Sequence, residues 1–185
     1  MCEDRPLRIL HIVGGMNRGG VETWLMHILR HIDRSRFHMD FMVHTDQACA
    51  FDQEILAFGS KIIPCLHPSQ PWTYARNFKQ VLREYGPYHV VHSHVHHYSG
   101  YVLRLAYWAG VPVRIAHSHN DTADLEARAG LRRRLYLTLM EQWMSRYATA
   151  GLACSKKAGP ALFRRRFRKK KPWEPLYYGI DLAPF

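Results

Sequence analysis

Short apolar runs alternate along the chain with longer segments whose hydrophobic positions return every three or four residues. The short runs predict strands at Leu7–Val13, Phe37–Val43, Lys61–Pro64, His89–Ser93, Arg114–His117 and Gly151–Ala153. The longer segments predict helices at Val21–Ile32, Phe51–Phe58, Trp72–Tyr85, Ser99–Ala109, Leu131–Tyr147 and Ser155–Phe163. In the fifth of these, Leu131, Leu135, Leu139 and Trp143 recur every fourth residue. Arg132, Arg133, Arg134 and Arg146 lie off that line, which predicts an amphipathic helix with a leucine stripe. Ser155 is a candidate N-cap, and Ala109–Pro112 reads Ala-Gly-Val-Pro, the signature of a helix end leading into a strand.

Strand–helix alternation of this kind predicts an α/β fold, a doubly wound, Rossmann-like parallel sheet covered on both faces by right-handed crossovers. Ligands of such sheets bind at the carboxyl ends of the strands. The unusual residues cluster at those ends. GGMNRGGVE (14–22) follows the first strand, HSHVHH (92–97) the fourth and HSHND (117–121) the fifth.

Composition narrows the class. An apolar fraction of 47% with 12% aromatic residues over 185 positions describes one globular domain, and no internal repeat is visible. Cys2, Cys49, Cys65 and Cys154 form no Cys-x-x-Cys pair and read as free cytosolic thiols. The opening MCEDRPLR lacks an apolar core, so no signal peptide is expected, and no run approaches the roughly 20 apolar residues of a membrane span. A soluble, cytoplasmic chain is expected. Its net charge of +11 is uneven: 13 of the 26 Lys and Arg residues fall between Leu131 and Lys171, with Glu141 the only acid there. Within that stretch Arg164–Pro172 reads RRRFRKKKP. A solvated surface is its plain reading, and an anionic partner its functional one. Nucleic acid is disfavoured as that partner, because no recognised binding motif is present and aromatics do not interleave with the basic run.

The glycine loop matches neither familiar phosphate motif. A dinucleotide fingerprint places Met16 or Asn17 at its middle glycine, and Gly19 is followed by Gly20 and Val21 rather than Lys and Ser or Thr. What remains is backbone physics: glycines let amides face a ligand, and a helix start supplies unpaired N–H groups and a positive dipole. Arg18 adds a cation. Glu22 and Thr23 complement the dipole of the helix they begin.

Taken in order, GGMNRGGVE, HSHVHH, IAHSHND, Ala153–Ser155 and the closing YYGIDLAPF (Tyr177–Phe185) resemble the N-terminal half of family-4-type glycosyltransferases of the two-domain GT-B kind, and most nearly the bacterial exopolysaccharide type. The resemblance covers essentially the whole chain. It implies a cleft between two Rossmann-like domains, of which residues 1–176 are the acceptor-side one and 177–185 the start of the interdomain linker. Tyr178 stands where Asn commonly precedes Gly-Ile-Asp. The resemblance further implies retaining transfer of a hexosyl group from a nucleotide-sugar co-substrate to a glycan or lipid-linked acceptor. Gly19, Gly20 and Gly15, with Arg18, would approach the donor phosphates. No cofactor or metal is implied, since amides and cations stabilise the diphosphate. The family's donor-binding domain uses two glutamates eight positions apart, and no two glutamates here have that spacing. The chain is therefore expected to be inactive alone, with a separate C-terminal-domain chain as a partner.

Six of the thirteen histidines sit in the two histidine loops: His92, His94, His96, His97, His117 and His119. Neutral imidazole can hydrogen-bond a sugar hydroxyl or stabilise developing charge near pH 7. Through the resemblance His117 lines the cleft beside the transferred sugar and is the candidate catalytic residue. His94, His119 and Asn120 are candidate acceptor contacts. Simple strand-end histidines bonded to backbone remain the plainer account, above all for His92 and His96. Two other readings stay open. One is a non-catalytic remnant that binds a glycan or a partner chain. The other is a metal-dependent hydrolase built on the His-x-His spacing, although Asp is missing where His96 stands and no histidine follows His119. The basic helix and tail also suit an anionic membrane surface, with a peripheral position at the inner face of the plasma membrane.

Overall fold

The computed structural model describes residues 5–122, 130–163, 167 and 171–179. The chain forms two compact units, Met1–Val90 with Tyr178–Phe185, and Val91–Tyr177.

The first unit runs β1 (Leu7–Val13), α1 (Gly20–His31), β2 (Phe37–Val43), α2 (Asp52–Ala57), β3 (Ile62–Pro64) and α3 (Pro71–Tyr85), with strand order β3-β2-β1. Both pairings are parallel, Leu7 opposite Phe37 through Val13 opposite Val43, and Phe41 opposite Ile62 through Val43 opposite Pro64. Met39 to Val43 are all buried, as expected of a strand covered on both faces. The core gathers Val13, Met39 and Phe41 from the strands against Trp24, Leu25 and Leu29 of α1. Tyr178 returns to this core, its ring stacked on Trp24 at 4.7 Å and 20°. The residue that departs from the family pattern thus packs on α1.

Asp40, wholly buried in β2, is the one charge in that core strand. Arg8 Nη2 donates to it at 2.9 Å, Tyr88 Oη at 2.8 Å, the Lys61 amide at 2.8 Å, and His38 Nε2 lies at 3.0 Å. Burial pushes its carboxyl up, but these donors together hold it below the ordinary aspartate range.

The second unit contains β4 (Val90–Ser93, shared by its first residue), a 3-10 turn (His96–Tyr98), α4 (Ser99–Trp108), β5 (Val113–Ser118), α5 (Leu131–Tyr147), β6 (Ala150–Ala153), α6 (Ala158–Leu162) and β7 (Trp173–Pro175). Strand order is β4-β5-β6-β7; β5/β6 and β6/β7 pair in parallel. Gly110, with φ of 79°, takes the left-handed turn that ends α4 ahead of β5, as Ala-Gly-Val-Pro predicts. Gly100 brings α4 against α5, where any Cβ would run into the Met140 carbonyl.

Strands and helices alternate and the strands pair in parallel, which is the α/β class expected. Three local expectations need correction. The leucine stripe of α5 does not face the core: Leu131, Leu135 and Leu139 are 76%, 63% and 40% exposed, and the buried side chains are Leu137, Met140, Met144 and Ser145. Strand β7 was not foreseen. The helix expected from Ser155 begins at Ala158, although the Ser155 hydroxyl does accept the Ala158 amide at 3.0 Å. No helix among the described residues is long and apolar enough to cross a membrane.

Candidate functional site

The second unit assembles its site from one tripeptide used twice. His92-Ser93-His94 ends β4 and leads out of it; His117-Ser118-His119 does the same for β5, its neighbour in the sheet. Side chains alternate across a strand, so the two histidines of each triplet share a face and the serine takes the other. Adjacent strands then bring the pairs together as a two-by-two lattice of imidazoles. His92 Nε2 lies 3.2 Å from His117 Nδ1, and His94 Nδ1 lies 2.9 Å from His119 Nε2, each pair sharing one hydrogen bond. Along the strands, ring centroids of His92 and His94 are 4.2 Å apart, as are those of His117 and His119. The His92 and His117 rings are stacked at 5.2 Å, within 3° of parallel.

The serines anchor the opposite face. Ser93 Oγ donates to Ser99 Oγ at 2.9 Å, tying β4 to the first residue of α4. Ser118 Oγ donates to the Ala158 carbonyl at 2.7 Å, tying β5 to the start of α6. The Cys154 amide bonds the Ser118 carbonyl at 2.9 Å, and its thiol donates to the His119 carbonyl at 3.2 Å. The strand ends are thus fixed from behind while the histidines converge in front.

Burial sets the chemistry. His117 is wholly buried; His92 and His94 are nearly so; His119 is half-buried and Asn120 exposed. Burial, reinforced by the nearby His96, lowers His119 to about 4, so it is a neutral donor–acceptor at physiological pH. His96 has a left-handed φ of 48°, and Thr122 Oγ1 approaches its Nε2 at 3.4 Å.

Of the expected site residues, His94, His117 and His119 come together, and Asn120 follows them in sequence at the exposed end. His92, expected to be a plain backbone-satisfied residue, instead bonds directly to His117. The repeated His-Ser-His triplet on two adjacent strands was the sequence signal for this partnership.

The glycine loop belongs to the first unit. Gly19 is the N-cap of α1, with extended backbone, and Gly20 is its first residue. The first i→i−4 bond runs from Thr23 N to Gly19 O, so the amides of Gly20, Val21 and Glu22 precede it. The loop is anchored by its middle. Met16 is wholly buried and its carbonyl accepts from Phe51, and Asn17 Oδ1 accepts the Ala50 amide at 3.1 Å. Its glycines serve different needs. A Cβ on Gly15 would lie 3.0 Å from Thr45 Cγ2 and 3.2 Å from Cys49 Sγ, and one on Gly19 would meet the Glu22 carboxylate. Nothing lies within 4 Å of a Cβ built on Gly14 or Gly20. Gly15 therefore answers to packing, at Gly19 the flexible Glu22 side chain could swing aside, and the open side of Gly20 is room that the fold itself does not use. Arg18 is exposed beside it.

Comparison with known proteins decides the family. Residues 19–179 match the glycosyl transferase 4-like domain. The chain belongs to that family. It is 37% identical over 180 residues to the protein named "Putative glycosyltransferase EpsF" of Bacillus subtilis (strain 168), covering 96% of this chain and 46% of that one. Its fold is that of Anabaena HepE, seen in a crystal structure with UDP and glucose: TM-score 0.67 at 15% identity, over 95% of this chain and 45% of HepE. The lipopolysaccharide outer core galactosyltransferase WaaB is similar at TM-score 0.62 and 16% identity, over 96% of this chain and 47% of WaaB. The chain thus spans about half the length of the proteins it matches, and the GT-B resemblance and Rossmann-like class hold.

Proposed function

We propose that these residues are the acceptor-side domain of a retaining, nucleotide-sugar-dependent glycosyltransferase that builds an exopolysaccharide or a related glycan. The family match carries this reading, and the histidine lattice gives it chemistry. Sugar transfer breaks the bond between the anomeric carbon and the diphosphate as an acceptor hydroxyl bonds to that carbon, its proton passing to the departing phosphate. Positive charge grows on the sugar ring and negative charge on the departing phosphate, so the protein's work is positioning and charge stabilisation. A buried imidazole held by a second imidazole suits that work: His117 would meet the transferred sugar, with His92 fixing its ring. His94, His119 and the exposed Asn120 would hold acceptor hydroxyls.

On the donor side, the amides at the start of α1 would take the diphosphate, with Arg18 adding charge and Gly20 leaving room for approach. No metal is required for that step, because amides and a cation supply the stabilisation. A uridine diphosphate sugar is the first donor to test, since HepE was crystallised with UDP-glucose.

The remaining donor contacts would come from a C-terminal domain, on this or a separate chain. The test is donor turnover by residues 1–185 alone and after addition of a donor-binding domain. No turnover alone and turnover on complementation is the expected result. Nucleotide-sugar or glycan binding without turnover in both arms would favour the non-catalytic remnant, and turnover by residues 1–185 alone would contradict the division of labour.

A cytoplasmic position against an anionic membrane is part of the proposal. Arg132, Arg133 and Arg134 are exposed on α5 beside the outward-facing Leu131 and Leu135. Six residues of the Arg164–Lys171 run lie outside the described residues. Each basic residue near an anionic leaflet contributes about 1 kcal/mol. Flotation with vesicles containing anionic lipid should carry the protein upward, and equal flotation with neutral vesicles would argue against it.

A further inference from the structure

We propose that His94, His117 and His119 bind one late first-row divalent metal ion of the zinc class, with His92 as the outer partner that orients the His117 ring. One ring nitrogen from each of the three lies within 4.8 Å of those of the other two. Around a tetrahedral zinc ion with Zn–N of about 2.0–2.1 Å, ligand nitrogens stand about 3.3–3.4 Å apart. His94 Nδ1 and His119 Nε2, now 2.9 Å apart, need open by only a few tenths of an ångström. His117 closes the third side by a small ring movement.

The donor set selects the ion. Three imidazoles with no carboxylate among them suit zinc, nickel or copper, and not magnesium or calcium, which take oxygen ligands. Three protein nitrogens leave one coordination position open. The serine bonds to α4 and α6 hold both strand ends, so the ligands need little reorganisation.

The protons balance without a further reactant. In the metal-bound state the proton of the His92 Nε2–His117 Nδ1 contact, 3.2 Å long, would sit on His117 Nδ1, so that Nε2 of His117 is the ligand and His92 the ion's outer-shell partner. The hydrogen shared between His94 Nδ1 and His119 Nε2 moves to the other nitrogen of the ring that carried it. Each imidazole stays neutral with one N–H, and only coordination bonds form. An ion so held occupies the nitrogens that sugar transfer would use, so ion and sugar exclude each other. The site does not depend on the transferase reading, and its test is a binding measurement.

The test is calorimetric titration of the metal-stripped chain with zinc chloride, with the visible spectrum of added cobalt(II) as a second readout. One ion per chain and a tetrahedral cobalt spectrum are expected. His94→Gln and His119→Gln should each weaken binding by more than tenfold. His92→Gln, which keeps all three ligands, should weaken it by about tenfold. Unfolding midpoints measured without metal separate ligand loss from misfolding. His27 and His31, one turn apart on α1 with ring centroids 4.5 Å apart, can chelate an ion by themselves. The His27→Gln/His31→Gln double variant should therefore keep the site. No binding, equal binding by wild type and His94→Gln, or loss confined to the α1 double variant would each overturn the proposal.

Discussion

His94 Nδ1 lies 2.9 Å from His119 Nε2, twenty-five positions along the chain, and the same interval joins His92 to His117 at 3.2 Å. Two identical triplets on neighbouring strands therefore meet in register, and every histidine of the lattice is held by another. Ring orientation at His117 is set by His92, so the sugar-facing chemistry proposed for one residue rests on a pair.

Gly20 separates folding from ligand approach. A Cβ there would touch nothing within 4 Å, and alanine is the better helix former by up to about 1 kcal/mol. Gly20→Ala should unfold at the same or a slightly higher urea concentration than wild type. In the enzyme completed with a donor-binding domain it should raise the KM for the nucleotide-sugar. Unchanged kinetics would remove Gly20 from the donor site.

Gly100 is the opposite case. Any Cβ there would collide with the Met140 carbonyl of α5, and backbone cannot move aside as a side chain can. Gly100→Ala should cost about 1–3 kcal/mol by forcing α4 and α5 apart. Urea unfolding measures it, and a midpoint equal to wild type would show that the helices can slide.

Stability should fall as pH drops below 6.5. Burial lowers His11 to about 3 and His44 to about 4, the latter with its Nε2 2.9 Å from Tyr74 Oη. Between those values and about 6.5 the unfolded chain binds protons that the native one does not. Each histidine then removes at most about 1.4 kcal/mol per pH unit. Asp40 acts at lower pH: its depressed carboxyl stabilises the fold above the ordinary aspartate value, and that contribution is lost as pH falls through its native pKa. Urea midpoints at pH 7.5, 6 and 5 should decline, and His44→Gln should flatten the slope. A pH-independent midpoint would contradict the burial of these rings.

Much of this architecture is legible in the sequence because parallel strands are continuous apolar runs. Leu7–Val13 and Phe37–Val43 fall where the hydrophobicity places them. β7 escaped because Trp173–Pro175 is three residues long, ends in proline, and owes its strand character to pairing with β6. The α5 stripe misled for a geometric reason. A spacing of four residues advances about 40° beyond a full turn at each step, so Leu131, Leu135, Leu139 and Trp143 spiral around the helix. Leu137, Met140 and Met144, spaced three and four apart, stay on one face and are buried. The histidine loops could be singled out from composition and their place at strand ends. Their mutual pairing needed the knowledge that β4 and β5 are neighbours.

The most direct measurement is the kcat of His117→Gln in the enzyme completed with a donor-binding domain, alongside its unfolding midpoint. If His117 stabilises charge on the transferred sugar, kcat should fall about 10²- to 10⁴-fold with the midpoint close to wild type. A folded His117→Gln enzyme with wild-type kcat would contradict the account.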